Sequence, residues 1–148
     1  MAHDPRGVQT GARKFLMPVG ECEMSLSTIL DELTIDSWPR PAGTRFLRCT
    51  GTALNLAVSL LEVSYVNHGG RIQLFTAGAA TYGPGKIVTE NLEDSIRTYH
   101  DIKNDKARHI RSATDFYNAL ALRLTRNGHA VDLFISSIDQ AGLMEMKQ

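Results

Sequence analysis

The sequence lacks an excess charge of either sign and a long apolar run. Its 148 residues hold 16 Lys and Arg against 16 Asp and Glu, so the formal net charge is zero. A neutral chain has no electrostatic footprint for nucleic acid or an anionic membrane. The longest apolar stretch, residues 53–66, is broken by polar side chains and is too short to span a bilayer. Residues 1–14 lack the apolar segment of a signal peptide, and we expect them to be a flexible lead-in or an appended segment.

Cysteine is scarce as well. Cys22 and Cys49 are far apart and form no C-x-x-C pair, so neither a disulfide framework nor a zinc site is indicated. The sequence also has no N-x-S/T glycosylation sequon. We therefore expect a reduced, cytosolic compartment.

Several enzyme signatures are missing too. No P-loop, G-x-S-x-G elbow or nucleophilic cysteine context occurs, which counts against a small hydrolase or transferase. "GPG" at 83–85 predicts a turn, and "YHD" at 99–101 predicts a local structural hydrogen bond rather than a His–Asp dyad. The basic residues around the second long helix predict a solvated face, not an RNA surface. They are Lys103, Lys106, Arg108, Arg111, Arg123 and Arg126, interleaved with Asp105 and Asp115. We predict no catalytic residue.

The sequence does contain an alternation of apolar strand candidates and amphipathic helices. Strands are predicted at 15–19, 71–77 and 130–136, and the last two are apolar on both faces, as in buried parallel strands. Helices are predicted at 25–33, 50–66 and 104–126, with Thr50 as the N-cap of the second, and a further helix opens within residues 139–148. Residues 36–45, with two prolines and a glycine, predict a loop.

This alternation predicts an α/β fold with a mostly parallel sheet covered by helices on both faces. The two long helices should pack on the sheet through small and apolar side chains. Those side chains are Ala53, Leu54, Ala57, Leu60, Leu61 and Ser64 in the first, and Ala107, Ile110, Thr114, Tyr117, Ala121 and Leu124 in the second. Since a sheet usually has about five or six strands, residues 15–148 are interpreted as part of a domain truncated at both ends. On that interpretation, uncovered edges and apolar faces would make the isolated chain prone to aggregate.

Two motifs resemble the von Willebrand factor A-type fold. "TGTALNLA" (50–57) matches that family's T-G-x-A-L-x-x-A helix, and "FTAG" (75–78) matches its T-D-G strand end. The family's magnesium site takes oxygen ligands from a D-x-S-x-S loop, a threonine and the T-D-G aspartate. Here D-x-S-x-S is absent, and the other two positions hold Phe46 and Ala77. These positions count against the alternative function, a metal-dependent ligand-binding A-domain, and we expect no metal or other cofactor.

Longer blocks are similar to the trunk domain of the GTPase-activating subunit of the inner COPII vesicle coat. They include "DSWPRPAGTRFLRCTGTALNLAVSLLE", "RIQLFTAGAATYGPGKIV" and "NGHAVDLFISSIDQAGLMEMKQ", and the resemblance runs nearly without gaps from about Phe15 to Gln148. The combination of "GPG", R-x-x-H-D-I and D-Q-x-G-x-x-E-M-K separates this subunit from its cargo-adaptor relative.

The resemblance implies a partial A-type, Rossmann-like trunk that acts as a protein-interaction scaffold in ER-to-Golgi transport. It implies pairing with the cargo-adaptor subunit, contact with a Sar-type small GTPase and, through the parent protein, with outer coat subunits. It also implies a cytoplasmic location, peripheral on endoplasmic reticulum exit sites and COPII vesicles, and no nucleic acid partner. The family's zinc cysteines and activating arginine belong to other modules, so we expect neither here. Arg97 is interpreted as part of a salt bridge or carbonyl clamp.

Overall fold

The computed structural model of the chain describes residues 15–65 and 68–147, and predictions for residues 1–14 lie outside the described residues. The chain divides into two compact units, residues 1–39 and residues 40–148.

The described part of the first unit contains one helix, α1 (Val19–Asp31), where a strand was predicted at 15–19. The strand prediction is wrong: residues 16–18 are irregular, and Pro18 is the N-cap of α1 with a φ of −55°. Proline fixes this φ and has no N–H for a strand ladder, whereas its carbonyl accepts a hydrogen bond from the backbone N–H of Glu21 at 2.9 Å. The helix predicted at 25–33 is confirmed, although it begins six residues earlier.

The second unit has six elements in the described residues. They are α2 (Thr50–Ser64), β1 (Arg71–Thr76), α3 (Tyr99–Lys103), α4 (Ile110–Arg126), β2 (Ala130–Ile135) and α5 (Leu143–Met146). The predicted strands at 71–77 and 130–136, the helix at 50–66 and the final helix are confirmed within two or three residues of most boundaries. The loop predicted at 36–45 also has no helix or strand.

The predicted N-cap of α2 and the predicted start of α4 are wrong. The N-cap of α2 is Cys49, without a side-chain cap bond, and Thr50 is already the first helical residue. The predicted helix from 104 is divided, because Asp105 takes a φ of 56° between α3 and α4. A left-handed residue cannot continue a right-handed helix, so α4 begins only at Ile110.

The sheet consists of two parallel strands, with Leu74 opposite Leu133 and Phe75 opposite Phe134. Leu74 and Leu133 are half-buried, whereas Phe75 and Phe134 are exposed. The prediction of a sheet covered on both faces is therefore wrong for the described residues: the burial in β1 alternates, as in a sheet with one covered face.

The hydrophobic core lies between the covered sheet face and the two long helices, as predicted. Its buried members include Leu54 and Val58 of α2 and Tyr117 of α4, and Leu74 of β1 packs against them. The buried residues of α4 are Ala113, Tyr117 and Leu120. Of the α4 side chains that were predicted to face the sheet, only Tyr117 is therefore buried. The α/β class is thus confirmed, with small differences in which side chains face inward.

Candidate functional site

The edge of the sheet where β1 ends is the place where the A-type resemblance would locate a metal site. Ala77 and Gly78 follow β1 there, and Thr81 ties the chain near Phe46 to this edge. The Thr81 hydroxyl donates to the Phe46 carbonyl at 2.7 Å and accepts from the Arg48 backbone N–H at 2.8 Å. The two positions singled out from sequence, Phe46 and Ala77, therefore belong to neighbouring segments.

Cationic side chains and an aromatic ring occupy this edge. A Cβ added to Gly78 would lie 3.2 Å from the Arg48 guanidinium carbon. The corresponding carbon of Arg40 lies 4.4 Å from the centroid of the Phe46 ring, within range for a cation–π interaction. Magnesium requires several oxygen ligands and is repelled by a neighbouring guanidinium, so these residues do not fit a divalent cation. Among residues 15–65 and 68–147, no group of three or more His, Cys, Asp or Glu could hold a metal ion.

The glycines of the "TG" and "GPG" motifs are explained by close packing. A Cβ on Gly51 would lie 2.1 Å from the carbonyl oxygen of Pro84, so only glycine lets α2 approach the loop at this point. Gly85 has a φ of +72°, and a Cβ there would lie 2.8 Å from the Tyr117 ring. The predicted turn at 83–85 is confirmed, and its function is to bring this loop against α2 and α4.

The Tyr117 hydroxyl is a structural donor at the same contact. It donates to the Gly85 carbonyl at 3.2 Å in a buried position. Burial raises the pKa of Tyr117 to about 12, and the negative charge of Glu145 adds to the effect. The phenol therefore stays protonated near neutral pH and is unsuited to act as a general base there.

A buried ion pair anchors the last described helix. The Arg97 Nη2 donates to the Glu145 Oε1, and the two side chains are 7% and 0% exposed. The prediction that Arg97 forms a salt bridge is confirmed. Its partner lies 48 residues further along the chain, and no sequence spacing pointed to it.

The "YHD" segment has the local structural role predicted for it. Thr98 and Asp101 form a capping box at the start of α3, in which the Asp101 carboxylate accepts from the Thr98 N–H at 2.8 Å. The hydrogen bonds from the Thr98 backbone and hydroxyl lower the pKa of Asp101. The carboxylate thus caps the start of α3.

Arg123 departs from the predicted solvated basic face, because it joins α4 to α2. Its guanidinium donates to both Glu62 carboxylate oxygens, to the Asn55 side-chain oxygen at 2.5 Å and to the Ser59 hydroxyl at 2.9 Å. The hydrogen bond from Arg123 lowers the pKa of Glu62. A basic residue assigned to solvent by charge pattern is therefore a half-buried link between two helices.

The second face of the sheet carries an exposed aromatic pair. The Phe75 and Phe134 rings stack with centroids 4.5 Å apart and are 69% and 47% exposed as residues. An exposed apolar surface of this kind is typical of interaction sites rather than of chemistry. In the part of the chain that the structure describes, no helix is both long and apolar enough to cross a membrane.

Comparison with known families gives a match to a family model. The family model described as the Sec23/Sec24 trunk domain matches residues 8–148. The match covers nearly the whole chain, and the α/β architecture with a parallel strand pair and flanking helices is consistent with it.

Proposed function

This chain belongs to the Sec23/Sec24 trunk-domain family, and on that premise we propose that it is a scaffold of the inner COPII coat that pairs with the cargo-adaptor subunit. Membership of the family implies a role in the COPII coat and in vesicle transport. We further propose contact with a Sar-type small GTPase, with outer coat subunits through the parent protein, and a cytoplasmic location at endoplasmic reticulum exit sites. The observation that carries the proposal is the match over residues 8–148.

The arrangement of the polar side chains supports a scaffold rather than an enzyme. The groups that could resemble catalytic residues are engaged within the fold: Asp101 caps a helix, Tyr117 bonds a loop carbonyl, and Arg97 is buried against Glu145. The exposed Phe75–Phe134 pair, in contrast, leaves apolar surface available for a partner.

Pairing with the cargo adaptor is tested by competition. The intact parent protein is captured on immobilised cargo adaptor while the present chain is added in excess. We expect the chain to reduce capture of the parent in proportion to its concentration. The matched control is the Leu54→Asp variant, which introduces a charge into the core and should unfold the chain without altering its surface composition. Equal competition by both forms, or by neither, would contradict pairing through this folded domain.

GTPase activation of the Sar-type protein is proposed to depend on an arginine outside this chain. An arginine supplied by an activating partner can raise the hydrolysis rate about a thousandfold or more. Arg97 cannot play that part because its side chain is only 7% exposed and is paired. In single-turnover phosphate release, the loaded GTPase should therefore hydrolyse GTP near its intrinsic rate with the chain, and faster with the intact parent. A large acceleration by the chain, lost in the Arg48→Gln variant, would place the active arginine here instead.

A further inference from the structure

A cavity of about 290 Å³ lies beside the buried Arg97. Its walls come from the loop after β1 (87–89), the segment leading to Arg97 (94–97), Asp101 of α3 and the loop before α4 (106–109). This size is near the lower end of the range for small-molecule sites, about 300–1,000 Å³, so it suits a compact ligand.

Arg97 brings unused hydrogen-bond donors to this cavity. Its Nη2 is taken by Glu145, whereas its Nε and Nη1 are buried and have no hydrogen-bond partner. The side chain is more than nine-tenths buried, and it lines the cavity. A buried donor without an acceptor is costly, so these two groups call for an acceptor that fits the cavity.

Further positive charge surrounds the same space. Lys106 and Arg108 line it from exposed positions, and the His109 Nε2 is buried without a hydrogen-bond partner. Two carboxylates, Asp94 and Asp101, also line the cavity, and one oxygen of each accepts a hydrogen bond from a nearby residue of the chain. Asp94 accepts from the Thr89 hydroxyl, and Asp101 accepts from Thr98.

We propose that this cavity binds a compact oxyanion of the phosphate or sulfate class, with the Arg97 Nε and Nη1 as its buried donors. Lys106 and Arg108 would add charge at the rim, and the His109 ring would contact the anion when it carries its proton. Oxyanion oxygens accept several charge-assisted hydrogen bonds at once, which matches the two buried donors of Arg97 that have no hydrogen-bond partner. The proposal does not depend on the coat function.

The pKa of His109 should report whether an anion occupies the cavity. Burial lowers the pKa of His109, and the positive charges of Lys86, Arg108 and Arg97 lower it further, while Asp94 acts in the opposite direction. An anion bound among these groups would offset that positive charge and favour the imidazolium. The pKa of His109 should therefore rise when the cavity is filled.

The first experiment titrates the chain with sulfate, whose charge is constant over the pH range in which histidine titrates. The ring signal of His109 is followed by NMR against pH, and the melting temperature is recorded in parallel. We expect sulfate to raise both the His109 pKa and the melting temperature, because a ligand that binds only the native state stabilises it. Sodium chloride at equal ionic strength is the control. An identical response to both salts, or no response at His109, would overturn the proposal.

Variants distinguish binding of sulfate in the cavity from a nonspecific attraction of the anion to positive surface charge. Arg97→Lys should weaken sulfate binding about tenfold or more, since it removes buried charge-assisted donors. Arg108→Gln at the rim should weaken it about threefold. Lys103→Gln, which removes the same charge from an exposed residue outside the cavity, should leave the affinity unchanged. If Arg97→Lys does not fold, the contrast between Arg108→Gln and Lys103→Gln decides, and equal affinities in those two variants would refute the site.

A final comparison identifies the source of the oxyanion. Inorganic phosphate and glycerol phosphate are titrated under the same conditions. Tighter binding of glycerol phosphate would assign the site to a phosphate monoester, and tighter binding of the free ion would assign it to inorganic phosphate. Failure of sulfate and both phosphates to bind would overturn the proposal.

Discussion

Replacing Glu145 with Gln tests how much the buried ion pair contributes to the fold. Glutamine keeps the size of the side chain and removes its charge, so Arg97 would remain buried with no counter-charge. The side chain of Glu145 is 0% exposed and that of Arg97 is 7% exposed, and water therefore cannot compensate for the lost partner. Breaking a buried pair in this way costs about 3–5 kcal/mol. A domain is stable by only about 5–15 kcal/mol, so the loss would be a large part of the total.

The assay is urea denaturation followed by circular dichroism. We expect the midpoint to fall strongly while the slope stays unchanged, as for a variant that alters stability and not the surface exposed on unfolding. Asp132→Asn is the matched control, because it also neutralises the partner of an arginine. Arg71, which pairs with Asp132 at 2.5 Å, has a side chain that is 70% exposed, so this variant should change the midpoint little.

The double variant Arg97→Met/Glu145→Leu extends the test. Apolar side chains of similar volume often replace a buried ion pair without loss, because they also remove the cost of desolvating two charges. The double variant should therefore be more stable than Glu145→Gln alone. If Glu145→Gln and Asp132→Asn had equal small effects, the reasoning from burial would be wrong.

Three further predictions concern separate parts of the chain. Gly51→Ala should destabilise by about 1–3 kcal/mol in the same urea assay, because the new Cβ would lie 2.1 Å from a backbone oxygen, while Gly20→Ala, with open space around it in α1, should be neutral or stabilising. The pKa of Glu62 is lowered in the folded state from its ordinary value of 4.5, so its contribution to stability should be complete above that pH and lost as the pH falls through the lower folded value; Arg123→Gln should flatten this part of the stability–pH curve. Ala77→Asp should not create tight magnesium binding by calorimetry, since the remaining ligand positions still lack oxygen side chains, and a micromolar affinity would contradict this.

Local sequence patterns were sufficient to predict those elements whose structure is determined by residues close together in the chain. The apolar runs at 71–77 and 130–136 predicted both strands, because β-branched and aromatic residues there suit a pleated, packed surface. The "GPG" turn was predictable from glycines that readily adopt positive φ. The family resemblance rested on the same kind of information, a set of residues in order along the chain, and residues 8–148 match that family.

Local sequence patterns gave wrong predictions where the structure depends on a single residue's backbone conformation or on contacts with distant segments. Residues 15–19 read as a strand, but a strand needs a second strand to pair with, and Pro18 instead begins α1. The division between α3 and α4 depends on one left-handed residue, Asp105, which helical periodicity does not reveal. Apolar residues on both faces of β1 suggested two covered faces, yet periodicity records only which side chains could be buried and not whether another element covers them.

What the sequence by itself determined about this protein is its class, its main helices and strands, and its family. Tertiary structure alone decided that Arg97 meets Glu145, that the Arg48 guanidinium lies beside Gly78, and that Arg97 lines a cavity while two of its donors have no hydrogen-bond partner. The physical reason is that secondary structure follows from dihedral preferences and periodicity over a few residues. The pairing, burial and desolvation of charges, in contrast, depend on which distant segments the fold brings together.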